Sequence, residues 1–464
     1  MLRRTLTACV AALVTTTGAA MVCGPAAAAE PAGVVDVPVA FAVKNTNTTG
    51  VPCPSDGAPY TVRGHLIAPA SQLAGSGTGA VTIYLHGLGY GEFFWHFTGV
   101  PGYDFATELA RAGNASLIID RLGYGASGKP QGQQSCYGSQ ADVTHQLVQA
   151  LRTGSYQASG TTPRGFSRVA LASHSAEGFA AQNEAYTYRD IDGLLVFSFA
   201  DSGSTPLTLS LFSQTQMICA KGGEQQAGSS GPGGYAYVGQ SDAAFQGANF
   251  YDTDPAVASQ VTAMRSRDPC GETASAVPSG TSDTTNDGQI TVPVLLAIGD
   301  HDALFSPSSL TAQKAQYTGS KDVTAATVPD AGQAVTLGRS APAFRALVID
   351  WLRAHGFSGA PLASAPGSSA TPATPATPAT PSASPNAPGA PPTGAPVGHR
   401  AAHCVRRHRH HSGGRYCHAD RRGRASRHRG RRHHHVRGRP HRPVSATHRA
   451  PAAGRGRGPT ERST

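Results

Sequence analysis

Six consecutive residues, Ser173-His174-Ser175-Ala176-Glu177-Gly178, offer the clearest chemistry in the chain. They follow a short apolar run and precede a stretch with helical spacing. A serine on a strand-to-helix turn projects its hydroxyl clear of the sheet. The next backbone N–H, at a helix N-terminus, then points to where an oxyanion would form. That arrangement suits acyl transfer. A hydroxyl is a poor nucleophile until a base takes its proton, an acid orients that base, and two fixed N–H donors stabilise the tetrahedral oxyanion. The plainer reading of the same six residues is a serine-rich helix N-cap.

Three other stretches decide between them. His86-Gly87-Leu88-Gly89-Tyr90-Gly91 follows the run Ala80–Leu85, and Asp120-Arg121-Leu122-Gly123-Tyr124-Gly125-Ala126-Ser127 follows the next apolar run. Gly299-Asp300-His301-Asp302 follows a late run that begins Val292-Pro293. In this order and at these run ends, the series resembles the α/β-hydrolase superfamily over roughly residues 60–355. The resemblance implies a mostly parallel central sheet with helices on both faces and an inserted cap. It implies Ser175 as nucleophile, the backbone N–H groups of Leu88 and Ala176 as oxyanion hole, and Asp302 as the triad acid, with Asp300 the lesser candidate. His86, Gly87, Phe94 and Trp95 are expected along the substrate site, the two aromatics in an apolar acyl or alcohol pocket. The expected substrate is a small carboxylic ester or related acyl compound, with no metal and no organic cofactor. A serine rather than an aspartate at the elbow argues against epoxide-hydrolase and dehalogenase chemistry, which share the fold.

The sequence departs from the family twice. The family's elbow is Gly-x-Ser-x-Gly, and here the outer positions are Ser173 and Glu177. More seriously, the family's histidine lies in a loop after the last strand, where this chain has Pro329-Asp330-Ala331-Gly332-Gln333-Ala334. The matching residue is Gln333. Glutamine cannot accept and return a proton near neutral pH, and loss of such a base can cost on the order of a million-fold in turnover. Three accounts stay open: a ligand-binding protein without turnover, a slow enzyme using Glu177, His174 or His301 as base, or a recent change in an active lineage.

The elements that would hold these residues follow from periodicity. Val37–Val43 and Tyr60–Ile67 alternate as antiparallel strands. Ala80–Leu85, Ala115–Ile119, Arg168–Ala172, Leu194–Phe199, Val292–Ile298 and Val323–Val328 read as further strands, several of them apolar enough to be buried on both faces. Helices are expected at Asp104–Arg111, Gln140–Leu151, Glu177–Glu184 and Ala343–His355. Strands alternating with helices imply a parallel sheet. Residues 204–288, rich in Gly, Ser and Gln, break the alternation and are read as a cap insertion.

Composition divides the 464 residues into four parts. Residues 1–29 read as a secretory signal peptide, with Arg3-Arg4, an apolar run from Leu6 to Val22, and Ala27-Ala28-Ala29 before Glu30. Residues 30–358 form the hydrolase-like domain. Residues 359–398 are a Pro/Ala/Thr-rich linker that cannot bury a core. Residues 399–464 carry 19 Arg, 12 His and two acids, a formal +17, so the rest of the chain holds −7 of the total +10. Charge therefore gives no support for nucleic-acid binding by the folded domain. The basic tail reads as disordered, with anionic cell-envelope polymers as a candidate partner. No segment of the mature chain has membrane-spanning length. Of eight cysteines, Cys53, Cys136, Cys219 and Cys270 lie in the domain. In an exported domain they suggest two disulfides from three possible pairings. Cys53–Cys136 with Cys219–Cys270 is favoured, since the second would staple the insertion. The expected location is extracellular or associated with the cell envelope.

Overall fold

A computed structural model describes residues 33–74, 79–224, 232–360 and 362. Residues 1–32, which include the expected signal peptide, residues 361 and 363–398 of the expected linker, and the expected basic tail at 399–464 lie outside the described residues. The strands are β1 (Val34–Lys44), β2 (Pro59–Pro69), β3 (Gly79–Leu85), β4 (Ser116–Asp120), β5 (Gln157–Ala158), β6 (Phe166–His174), β7 (Gly193–Phe197), β8 (Tyr235–Ala236), β9 (Asp268–Pro269), β10 (Val294–Gly299) and β11 (Val323–Val328). The helices are α1 (Ala70–Ala74), α2 (Phe105–Arg111), α3 (Tyr137–Thr153), α4 (Gly178–Tyr188), α5 (Pro206–Cys219), α6 (Asp242–Asn249), α7 (Pro255–Met264), α8 (Cys270–Asn286), α9 (Leu310–Gln316) and α10 (Ala341–Ala354).

Nine strands form one sheet in the order β11-β10-β7-β6-β3-β4-β2-β1-β5. The pairs from β11 through to β4 are parallel, and β2, β1 and β5 extend the sheet antiparallel. β4, β7 and β10 are buried at every position, as apolar runs covered on both faces must be. Side-chain alternation divides the core. Val81, Ile83, Val169 and Leu171 face one side, with Leu147 and Leu151 of α3 and Ala181 and Ala185 of α4. Tyr84, Ala170 and Ala172 face the other, with Leu109 of α2 and Phe344, Val348 and Trp351 of α10. The described residues continue past the expected boundary at 358. Gly359 N donates to Gly113 O at 2.7 Å and Leu362 N to Arg111 O at 3.0 Å. Among the described residues no helix is long and apolar enough to cross a membrane.

The insertion between β7 and β10 holds α5, α6, α7 and α8, with the short β8–β9 ladder pairing Tyr235 with Pro269. Cys219 at the end of α5 bonds Cys270 at the start of α8, and Cys53 bonds Cys136. These are the two pairings favoured from the sequence. The cap is also bound to the core by charge. Arg121, just past β4 and 1% exposed, pairs through Nη1 with Glu177 Oε1 at 2.9 Å and Glu272 Oε1 at 2.8 Å. Its Nε donates to His86 O at 2.9 Å. Tyr124 and Gln140 also donate to Glu272. Burial alone would lower the Arg121 guanidinium, but Glu177 and Glu272 hold it well above its ordinary range.

Three stability outcomes follow. Arg121→Met leaves two buried glutamates without their cation and should cost about 3–5 kcal/mol in urea unfolding, less as the pH falls and the glutamates protonate. Glu177→Gly should cost less, because Arg121 keeps Glu272. Removing the 83-residue closure with Cys53→Ser and Cys136→Ser together should lower stability by about 2–4 kcal/mol in the same assay.

Candidate active site

The serine turn is strained in a way that few side chains tolerate. Ser175 has φ 57°, in the left-handed region, directly after β6 and before α4. Such a conformation costs on the order of 1–3 kcal/mol and persists only where the surroundings impose it. Two glycines make room. A Cβ on Gly87 would stand 2.7 Å from His174 Nδ1 and 2.8 Å from Ser175 Cβ, and one on Gly178 would run into the Phe199 ring. The elbow's small-residue requirement thus falls on Gly178, one position later than in the family pattern. That frees Glu177, which is fully buried and turned to Arg121. Glu177 is therefore not beside the serine as a base. Burial pushes its carboxyl well up, against the pull of Arg121.

Gln333 lies between Ser175 and Asp302. In the amide orientation that satisfies its neighbours, its oxygen accepts from Ser175 Oγ at 2.7 Å. Its nitrogen donates to the two Asp302 oxygens at 2.6 and 2.7 Å. Asp302 is fixed in turn, because Oδ1 accepts from Leu304 N at 2.8 Å and Phe305 N at 2.9 Å. Burial pushes the Asp302 carboxyl up, and the N–H donors of Leu304 and Phe305 pull against it. Among the described residues no cation is paired with it. Asp300, the lesser candidate acid, is 38% exposed and accepts from Ala331 N instead.

The other candidate bases lie elsewhere. His174 Nε2 stands 2.9 Å from Gln333 O, so its proton supports the backbone of the Gln333 loop. Burial lowers its imidazole to about 3, against the pull of that carbonyl, which keeps the ring neutral. His301 is exposed and stacks on Tyr251 at 3.7 Å.

Leu88 and Ala176 pack together with Ala180 and Ala276 beside the turn. Among the described hydrogen bonds the Leu88 N–H has no acceptor, and the Ala176 N–H opens the turn after Ser175. The Leu88 loop is held from the cap, where Asp268 Oδ1 accepts from Gly89 N at 2.6 Å. His86 lies beneath that loop. It is fully buried, with Nε2 accepting from Arg121 N at 3.2 Å and Nδ1 directed at Gly87 O at 3.0 Å. Burial, with Arg121 adding to it, lowers its imidazole well below the usual range. It is a support rather than a wall.

Phe94 and Trp95 correct the sequence expectation. Both are fully buried, and Phe94 stacks on His174 at 4.0 Å. They form the packing behind the elbow, not a pocket wall. The apolar cavity lies on the other side, between α5 and α8. It measures about 580 Å³ and is lined by Phe179, Leu209, Phe212, Ala276, Val277 and Phe305, among others. Ser175 does not line it, but Phe179, Phe212 and Ala276 also pack against the Leu88–Ala176 cluster. Sequence reasoning missed Glu272 and Asp268, which fasten the cap to the site. The glutamate at the elbow's outer position was their one outward sign, since a buried Glu needs a cation.

No protein-family model and no curated protein matches the chain. Solved structures do align with it. A thermophilic esterase from Thermogutta terrifontis is 19% identical over 68% of this chain and 99% of that one, with a TM-score of 0.46. A monoacylglycerol lipase from Paleococcus ferrophilus is 18% identical over 60% and 97%, TM-score 0.42. A bromoperoxidase from Bacillus anthracis is 15% identical over 68% and 99%, TM-score 0.44. These are similarities to proteins of different chemistry, and no activity follows from them. By its strand order, its inserted cap and the serine turn at the end of β6, the chain has the α/β-hydrolase fold.

Proposed function

We propose that the chain is an exported, esterase-type serine hydrolase of greatly reduced rate, acting on carboxylic esters or related acyl compounds. The observation that carries this reading is the hydrogen-bonded series Ser175–Gln333–Asp302. Ser175 Oγ is the nucleophile, and the N–H groups of Leu88 and Ala176 receive the oxyanion. Gln333 holds the hydroxyl in position, and Asp302 holds Gln333. What is missing is a proton acceptor. When Oγ bonds to the acyl carbon and the ester C–O bond breaks, the serine proton must go to the leaving alkoxide directly or through water. An oxyanion hole and binding without the base leave roughly 10³–10⁴ over the reaction in water. The apolar cavity beside α5 favours a hydrophobic acyl or alcohol group. The two disulfides favour an oxidising, extracellular location. The same glutamine favours a second reading, in which the site binds an acyl ligand and releases it unchanged.

Turnover of p-nitrophenyl acetate and butyrate by the full chain, beside Ser175→Ala and Gln333→His, separates the readings. Slow hydrolysis abolished by Ser175→Ala and raised at least 100-fold by Gln333→His supports the enzyme. An inert chain that gains hydrolysis with Gln333→His supports the binding protein. No hydrolysis by either form would remove the serine mechanism.

Asp302 also sets a pH dependence. Burial raises its carboxyl above the ordinary 3.8, while the N–H donors of Leu304, Phe305 and Gln333 pull it back. Over the range in which the folded chain holds that proton and the unfolded chain does not, stability falls as pH rises above about 4, by at most about 4 kcal/mol from this group. Thermal unfolding should show a higher midpoint at pH 5 than at pH 8, and Asp302→Asn should remove part of that difference.

A further inference from the structure

A second group of chemically capable side chains lies at the far end of α4 from Ser175. His145 projects from α3, Glu184 from the last turns of α4, and Asp190 from the chain just beyond it. One ligand atom from each lies within 4.8 Å of the other two. His145 Nδ1 is 2.8 Å from Asp190 Oδ2. The sequence holds no metal-ligand spacing here, because the 39 residues from His145 to Glu184 close up only when α3 packs on α4.

Glu184 is the anomaly. It is fully buried, and neither carboxylate oxygen has a hydrogen-bond partner. Asp190 Oδ1 is buried and unpartnered as well. Unpaired buried carboxylates are costly and are normally neutralised by a cation or a proton. The nearby cation does not serve. Arg152 donates to the Asp190 main-chain oxygen, and its Nη2 is already paired with Asp192 at 2.8 Å. Two carboxylates therefore face each other and an imidazole with no positive group between them.

We infer that His145, Glu184 and Asp190 form a binding site for one divalent transition-metal cation of the zinc class. An imidazole with two carboxylates suits zinc and its neighbours. Calcium and magnesium call for six or more oxygen donors, and this site offers fewer. A tetrahedral zinc ion needs its donors about 3.3 Å apart, so the His145–Asp190 pair, now at 2.8 Å, would open as the ion replaces their hydrogen bond, and Glu184 would draw in. Supporting contacts are in place. Tyr188 stacks on the His145 ring at 4.0 Å, and Gln149 Nε2 donates to Asp190 Oδ2 at 2.5 Å. The fourth position, on the half-exposed side, is left to water. The ion would staple α3 to the end of α4, the helix that carries the elbow at its start. This role is independent of whether the serine turns over.

The test is thermal unfolding of the EDTA-stripped full chain, followed by tryptophan fluorescence, with and without zinc chloride. Zinc bound equally by the folded and unfolded chain, at the 12 histidines of residues 399–464 or elsewhere, does not move the midpoint. Zinc at about a hundredfold over its Kd should raise the midpoint by roughly 5 °C. His145→Ala and Glu184→Gln should each weaken the zinc dependence at least tenfold, and His301→Ala should leave it unchanged. His145 is 28% exposed, so its variant decides the matter should Glu184→Gln fold poorly. The inference is overturned if zinc leaves the unmodified midpoint in place, or if both variants keep the response. It is likewise overturned if Glu184→Gln is the more stable protein and zinc affects neither, which would assign a shared proton to the carboxyl pair.

Discussion

The buried guanidinium of Arg121 is the constraint on which the site rests. It reaches three parts of the chain that are remote in sequence: His86 at the end of β3, Glu177 in the elbow, and Glu272 on the first turn of α8. Each of those acids would be costly to bury alone, and so would the arginine. Together they are tolerable only in one arrangement. The cap therefore cannot dock in another register without leaving a charge unpaired. Asp268 and Tyr124 extend the same network to Gly89, so the loop that presents the Leu88 N–H is fixed by the cap as well as by the sheet.

This network also explains how the elbow tolerates a glutamate. The family pattern uses a small residue there because strand and helix pack closely. In this chain the close contact is made by Gly178 against Phe199, and the buried Glu177 side chain is turned to Arg121. The substitution is a coupled change. Glu177, Arg121 and Glu272 make sense only as a set.

Much of the fold was legible because its signals are local. The fully buried strands are continuous apolar runs such as Leu194–Phe197, and the antiparallel pair alternates, as in Val37–Val43. Gln333 was legible from its position before α10, and the geometry brings it to both Ser175 and Asp302. The cap helices were not legible. α8 reads CGETASAVPSGTSDTTN, with a proline inside, and its helix depends on packing against α3 and α4 rather than on propensity. Phe94 and Trp95 were misplaced for a related reason. An aromatic run after an oxyanion segment has the same composition whether it faces a ligand or a neighbouring ring, and only the tertiary contacts distinguish the two.

The attachment of α5 sets the mechanics of access to the cavity. The helix is sparsely buried, and Leu209 and Met217 on it are 62% and 59% exposed. Yet both its ends are tied down. Thr205 and Thr208 donate to the Ala303 and Leu304 carbonyls at one end, and Cys219 is covalently joined to α8 at the other. A bar pinned at both ends cannot swing aside as a flap does. These off-axis bonds oppose a roll of the helix as well, so access falls to the Leu209 and Phe212 side chains, which line the cavity and can turn about their own bonds. Entry would then be governed by side-chain size along a slot of nearly constant length, so the opening would sort ligands by girth more than by reach.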